Sequence, residues 1–448
     1  MASGEADASR GRGSSYADHD IIEITMPSFS PLPSLYDLTR PALIDFVQDL
    51  GEPRYRADQL WHWLYHRHAE SFDAMTNLPI GLRRRLAEVA RLHTLSLAAR
   101  TVSEDGLATK LLFRLEDGQH IETVLMHYLD PADAEAEIDT PVQPTPIHFT
   151  PAHSAPTHPA PIHPEPNRDE HLAAPSAEPT LDAVPPHGRH TVCLSTQVGC
   201  AMACVFCATG QMGLVRDLTL GECVEQLVHC ARRLALSGER LTNVVFMGMG
   251  EPLANWPATW GTVETLTDPD GFGLSPRRLT ISTVGIVPGI DRLAATGVPV
   301  RLAVSLHAAG NALRSRLVGV NTVYNLNAIL SACRRYQAVG GRRITFEYVL
   351  IEGVNDGVDE AERLARKLAG LSAHVNLIPL NPTAGSPDRP TPYRQAVAFE
   401  SVLRHAGFST TLRMRRGIDI QAGCGQLRTR VEEGRVGRTI PMGEIGGG

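Results

Sequence analysis

The apolar positions of this chain change period along its length, and the changes divide it. From Leu38 they recur at helical spacing, through Phe46 and Leu50 and again through Leu60, Trp61, Leu64 and Tyr65. Thr39-Arg40-Pro41-Ala42 reads as a helix start, a capping side chain followed by proline in the first turn. Another helix is predicted over roughly Pro79 to Leu92, so residues 34–95 read as a small helical module. Leu111 to Met126 then reads as two short strands joined at Asp117-Gly118, a hairpin turn signal, within a segment spanning 96–130. Beyond residue 188 apolar runs alternate with helical stretches. Strands are predicted over Thr191–Ser195, Thr242–Met247, Arg278–Thr283, Val300–Leu306, Arg343–Leu350, His374–Leu380 and Ser409–Met414. Each gap has room for a returning helix, the signature of βα units with parallel strands and right-handed crossovers. The fold class is therefore α/β, with a barrel-like sheet over 188–427.

Three stretches carry no such period. Residues 1–33 are rich in Gly, Ser and Asp and read as a disordered tail. Residues 131–187 are dominated by Pro, Ala, Thr and His, a composition that cannot bury a core. His148, His153, His158 and His163 recur there every five residues, which offers imidazoles to a metal, but the stretch reads first as a disordered insertion. Lying between Glu122 and Cys193 in sequence, it is expected near whatever those residues do. Residues 428–448 read as a basic C-terminal tail.

Composition narrows the function. The apolar fraction of 43% supports a sizeable core, and 448 residues suggest more than one folded unit. No apolar run approaches the ~20 residues that cross a bilayer, and the N-terminus has no apolar signal-peptide core. The chain is expected to be cytoplasmic, without a membrane partner. A net charge of −7 argues against nucleic acid as a partner, but it averages over an Arg-rich C-terminal stretch: Arg404, Arg413, Arg415, Arg416, Arg428, Arg430, Arg435 and Arg438.

Eight cysteines in such a chain do not suggest a disulfide framework. Three crowd into Cys200-Ala-Met-Ala-Cys204-Val-Phe-Cys207, directly after the first barrel strand. Four-iron clusters normally take four thiolates, so three leave one iron open to chelate a small molecule. A structural zinc site would want a fourth ligand and usually a C-x2-C spacing. Gly248-Met-Gly250-Glu251-Pro252 follows the second barrel strand; its glycines allow close backbone approach, and Glu251 can accept from an ammonium group. Cys424 lies between glycines near basic residues, a setting suited to a reactive thiol. Cys193, inside a strand, and Glu122, at the hairpin end, read in isolation as a buried hydrophobe and an exposed strand residue. Cys223, Cys230 and Cys333 match no motif and read as structural.

From about Leu35 to Leu427, interrupted by the His/Pro segment, these motifs resemble the RlmN/Cfr family of radical S-adenosylmethionine (SAM) RNA adenine methyltransferases. The resemblance implies a partial (β/α)6 barrel, with the N-terminal helices contacting RNA. It implies that Cys200, Cys204 and Cys207 hold a 4Fe–4S cluster whose free iron binds SAM. SAM contacts are implied for Gly250, Glu251, Ser282, Ser305, Leu306, His307 and Asn381. Gly423 stands where the family has alanine, a swap expected to leave the thiol of Cys424 unimpaired. In the implied mechanism Cys424 takes a methyl group from one SAM, and a 5′-deoxyadenosyl radical from a second removes hydrogen from it. The resulting carbon adds to adenine, Glu122 accepts the ring proton, and Cys193 attacks the Cys424 sulfur, forming a transient disulfide. Implied partners are 23S rRNA, tRNA and an electron donor such as flavodoxin or ferredoxin, with the chain a monomer. The RlmN branch, acting at carbon 2 of adenine, is favoured over the Cfr branch, which acts at carbon 8. A non-catalytic metal-containing RNA-binding protein is the alternative of another class, but it would need neither Glu251 nor the two extra cysteines.

Overall fold

The computed structural model describes residues 32–128, 188–340, 342–413 and 417–428. The N-terminal tail, the His/Pro-rich repeat, Met414 to Arg416 and the basic tail beyond Arg428 lie outside the described residues.

The first elements are three helices: α1 (Arg40–Asp49), α2 (Tyr55–Tyr65) and α3 (Ile80–Val89). Thr39 caps α1 as expected, its side chain accepting from the Ala42 N–H, with proline in the first turn. Leu43, Val47, Leu60, Trp61, Leu64 and Leu86 form a core of their own. That core also takes in Val224 and Val228 from a barrel helix, so the module packs on the barrel through apolar burial.

Among the described residues ten strands form one open sheet. The antiparallel part is larger than the predicted hairpin: β1 (Leu95–Val102), β2 (Ala108–Leu115) and β3 (His120–Tyr128). Strand β1 escaped the sequence reading because only its first residue is fully buried, so no alternating apolar pattern marks it. Nor are these strands separate from the barrel. β3 pairs antiparallel with β4 (Arg189–Cys193), which opens the parallel series. That series continues through β7 (Asn243–Phe246), β8 (Leu279–Thr283), β9 (Arg301–Ser305), β10 (Ile344–Leu350), β11 (Ala373–Pro379) and β12 (Ser409–Leu412). Six βα units with one further parallel strand make the partial barrel that the predicted strands required.

Two short strands, β5 (Gln197–Gly199) and β6 (Leu214–Asp217), pair antiparallel outside this sheet. They close the base of the cysteine-bearing loop, which also holds the short helix α4 (Ala208–Met212). Helices α5 (Leu220–Leu236), α6 (Trp256–Thr267), α7 (Val287–Ala295), α8 (Asn311–Leu317), α9 (Leu326–Gly340), α10 (Val358–Leu368) and α11 (Tyr393–His405) make the returns. Helix α5 starts in a full capping box between Thr219 and Glu222. Cys223, Cys230 and Cys333 are buried on α5 and α9, in keeping with a structural role.

Register fixes which residues meet at the top of the barrel. Cys193 opposes Val124, and the next residues of the β3–β4 pair bring Ser195 to Glu122, where the Ser195 hydroxyl donates to the Glu122 carbonyl at 2.6 Å. At the other end of the same pair Tyr128 opposes Arg189. The chain therefore leaves for residues 129–187 and returns from them at the strand ends remote from Glu122 and Cys193. The expected closeness to those residues does not hold for the attachment points, because β3 runs away from the site.

Candidate active site

The C-terminal ends of the parallel strands surround a cleft. Cys204, Cys207, Gly250, Glu251, Ser282, Ser305, His307, Asn381 and Cys424 all line it. Strand ends on one side of a βα sheet point their loops to a common centre, so residues remote in sequence converge here. Leu306, Cys200, Cys193 and Glu122 are buried and do not line it.

The three clustered thiols sit in a loop fixed by backbone contacts. The Cys200 N–H donates to the Gly213 carbonyl at 2.9 Å, Cys207 to the Cys204 carbonyl at 3.1 Å, and Val205 to the Leu317 carbonyl at 3.1 Å. Burial pushes the Cys200 thiol up to about 12 and raises Cys204 as well. Such thiols stay protonated until a cation takes the thiolate, which is what iron does. Among the described residues no three His, Cys, Asp or Glu side chains stand ready around a single metal ion. A cluster differs in kind, since each thiolate takes a different iron.

Glu251 is buried in the wall of the cleft. Its carboxylate accepts from the Leu253 and Val284 N–H groups at 3.1 and 2.8 Å, yet burial still raises it to about 7. Gly250 leads into it at φ +104°, and a Cβ there would lie 2.7 Å from the Gln197 side chain. Only glycine allows that approach. His307 is held by the Val349 N–H, which donates to Nδ1 at 3.0 Å; burial lowers the ring to about 3, so it is neutral with the proton on Nε2. Asn381 donates from Nδ2 to the Cys424 carbonyl at 3.0 Å, while its buried Oδ1 has no partner among the described residues. An orphaned acceptor on a cleft wall is a place for a ligand donor.

Cys424 is exposed, and Arg413 Nη1 approaches its sulfur to 3.7 Å. Its loop is pinned to the cysteine loop, the Ala208 N–H donating to the Gly425 carbonyl at 2.8 Å and the Thr209 hydroxyl to the Leu427 carbonyl at 2.7 Å. The glycine at 423 has a spatial consequence that the sequence did not reveal. A Cβ there would stand 2.8 Å from both Asn381 Nδ2 and Gln426 Oε1, so the missing methyl lets Asn381 close on the loop. Cys193 is buried and pushed up to about 12 by burial, then by the neighbouring Cys424, whose field reaches it. All eight cysteines are free thiols, so the transient disulfide has no counterpart in this state. Glu122 is buried too. Lys110 Nζ stands 3.1 Å from its Oε1, and the Arg428 N–H, just past the Cys424 loop, donates to its Oε2 at 2.9 Å. Burial wins over both, and the carboxyl is raised above the ordinary glutamate range.

Sequence reasoning passed over Glu347 and Arg413. Glu347 lines the cleft from β10, opposite Ser305 on one side and Asn376 on the other, and accepts from the Asn376 amide at 2.9 Å. A lone charge inside the apolar run Ile344–Leu350 was the available signal. Arg413 appeared only as one of many arginines.

Comparison with known proteins follows the same division of the chain. Residues 34–92 match the ribosomal RNA large subunit methyltransferase N-terminal domain, and residues 194–400 match the radical SAM superfamily. The dual-specificity RNA methyltransferase RlmN 1 of Myxococcus xanthus is 44% identical over 408 residues, covering 91% of this chain and 97% of the relative. The chain belongs to the RlmN family. It is a radical SAM RNA methyltransferase. The ribosomal RNA large subunit methyltransferase N of Nitrosopumilus maritimus is 40% identical, covering 89% of this chain and 99% of its own. A crystal structure of a radical SAM methyltransferase from Sphaerobacter thermophilus superposes with a TM-score of 0.74 at 44% identity, over 88% of this chain and 99% of that one. Membership implies SAM and a 4Fe–4S cluster. The buried thiols, the carboxyl of Glu251 and the unpartnered Asn381 Oδ1 fit that pair of groups. No helix among the described residues is long and apolar enough to cross a membrane.

Proposed function

We propose that this chain methylates carbon 2 of adenosine at two kinds of site: one in the peptidyl-transferase region of 23S rRNA, and the adenosine 3′ of the anticodon in tRNA. The observation that carries the reading is that Cys424 shares one cleft with Cys204 and Cys207, its loop tied to theirs through Gly425 and Ala208. A radical SAM enzyme without a second sulfur chemistry has no use for an exposed thiol there.

Cys200, Cys204 and Cys207 would hold the cluster, leaving an iron open to the amine and carboxylate of SAM. Gly250, Glu251, Ser282, Ser305, Leu306, His307 and Asn381 would surround SAM, with Glu251 accepting from its amine and Asn381 Oδ1 gaining a donor. When bound, these groups supply the one-electron chemistry that an electron-poor ring carbon requires. The remaining work falls to side chains. Cys424, exposed and beside the Arg413 cation, takes a methyl group by displacement, which makes two SAM molecules per turnover. Glu122 takes the ring proton, and the burial that raises its carboxyl favours the protonated form. Cys193 attacks the Cys424 sulfur and releases the product; removed from water until then, its thiol stays protonated and unreactive. A low-potential donor of the flavodoxin or ferredoxin class would supply electrons to a cytoplasmic monomer. The N-terminal helices of 34–95 would contact RNA.

Nucleoside mass spectrometry of rRNA and tRNA after anaerobic incubation with the reconstituted enzyme, SAM and a reductant tests the reading. The expected product is 2-methyladenosine in both. An 8-methyladenosine product would move the chain to the Cfr chemistry, and no methylated adenosine despite SAM cleavage would sink the assignment.

A further inference from the structure

Arg314, on α8, is fully buried beside the cysteine loop. Its donors go to neutral acceptors: Nε to the Leu306 carbonyl at 3.1 Å, Nη1 to Asn321 Oδ1 at 2.9 Å and the Tyr324 carbonyl at 3.5 Å. Nη2 goes to the carbonyls of Val284 and Ser305, at 2.5 and 3.1 Å. The guanidinium thus ties together the ends of β8 and β9 without giving up its charge. A buried guanidinium cannot shed its proton, and carbonyl dipoles do not replace a counter-ion. Burial weighs against the charge, and the acid whose thiolate would favour it is Cys204. Helix α8 abuts that cysteine directly. Leu317 and Val318 share an apolar cluster with Cys204 and Phe206, and the Leu317 carbonyl takes the Val205 N–H. The opposing charge is Glu251, which lines the same cleft and, when ionised, disfavours a thiolate at Cys204.

We propose that Arg314 is the built-in counter-charge of the iron–sulfur cluster and raises its reduction potential. The inference rests on the reading that Cys200, Cys204 and Cys207 hold a 4Fe–4S cluster. An oxidised core of charge 2+ with three thiolates is a monoanion, and one electron makes it a dianion. A fixed cation in a low-dielectric setting stabilises the dianion more than the monoanion, so reduction becomes easier. Glu251, when ionised, acts in the opposite sense. Arg314 is on this account a positioning and tuning residue, acting on the cluster through charge and on the SAM-facing strand ends through hydrogen bonds.

The test is potentiometric titration of the anaerobically reconstituted full-length protein, followed by the electron paramagnetic resonance signal of the reduced cluster. In Arg314→Gln the reduction equilibrium is expected to move at least tenfold toward the oxidised form, a fall of 59 mV for one electron. Arg314→Lys keeps the charge and is expected to stay within that margin. Asn321→Asp leaves the arginine in place but gives it a carboxylate partner, and is expected to lower the potential in the same direction. A merely structural arginine predicts instead that lysine and glutamine destabilise the fold alike and leave the potential unmoved. Wild-type potential in Arg314→Gln with a full iron complement overturns the proposal; if that variant does not fold, an unchanged potential in Asn321→Asp does so. A wild-type protein that takes up no cluster would overturn the underlying cluster reading itself, a result distinct from either.

Discussion

At the residue scale the site is governed by burial acting on a few ionisable groups. Glu251 shows the balance most clearly, since two backbone N–H donors fail to offset the loss of water. Its carboxyl moves from 4.5 to about 7, so protons leave the unfolded chain before they leave the native one. Stability from this group is complete below pH ~4.5, is lost as pH rises toward 7, and stays lost above it. The unfolding free energy of Glu251→Gln minus that of the SAM-free parent should therefore grow across that interval by about 3 kcal/mol and then level off. Denaturant titrations at several pH values check this, and a difference independent of pH would contradict it. Gly250 offers a steric counterpart. Alanine there meets both the positive φ and the Gln197 side chain, so Gly250→Ala should destabilise by roughly 2 kcal/mol or more and weaken SAM binding. Calorimetric unfolding and equilibrium dialysis with SAM measure the two effects.

At the element scale the loops that carry chemistry are held by backbone hydrogen bonds and by close packing of small residues. The Cys424 loop is the clearest case, because Gly423 leaves the space that Asn381 and Gln426 occupy. Gly423→Ala restores the residue the family carries and meets only the ends of two flexible side chains, so Asn381 and Gln426 should shift slightly while SAM affinity and the alkylation rate of Cys424 stay at parent values; a SAM isotherm weakened several-fold would contradict this. Much at this scale was legible in the sequence. The seven parallel strands were predicted, the central ones most readily, because strands with most positions buried, such as β9, β10 and β11, read as near-continuous apolar runs. The Thr39 cap and the cysteine loop were legible because both depend on residues adjacent in sequence. Strand β1 was not, since its exposed positions carry no alternation, and neither was the ladder of β5 and β6, which is too short to leave a pattern. Glu122 and Cys193 gave no local signal at all. Their meaning comes from strand register, which brings them to one end of the β3–β4 pair, and a family resemblance stood in for that geometry.

At the scale of the whole molecule, the N-terminal helices and the barrel are joined by buried polar contacts as well as apolar ones. Glu225 on α5 is fully buried and accepts from the Thr94 N–H and hydroxyl and from the Leu95 N–H, with His93 as a further partner. Glu225→Gln should cost about 1–3 kcal/mol by leaving donors unpaired, and should loosen the helical module first; hydrogen exchange resolved along the chain would register it. The connection between β3 and β4 runs over residues 129–188. Tyr128 and Arg189 already oppose each other across an antiparallel pair. Replacing residues 130–187 with a short hairpin turn should leave the melting temperature unchanged or raised, since a shorter closure loses less entropy. Activity should survive, because the attachment lies at the strand ends away from Glu122.

The division of labour between Cys424 and Cys193 is the claim on which the functional reading stands. A denaturing gel of Cys193→Ala, incubated anaerobically with labelled RNA, SAM and reductant, addresses it most directly. Without the thiol that resolves the intermediate, RNA should stay covalently attached to the protein through any denaturant. The adduct should vanish when Cys424→Ala is added to the same chain. Free methylated RNA released at the parent rate by Cys193→Ala, with no adduct, would contradict the account.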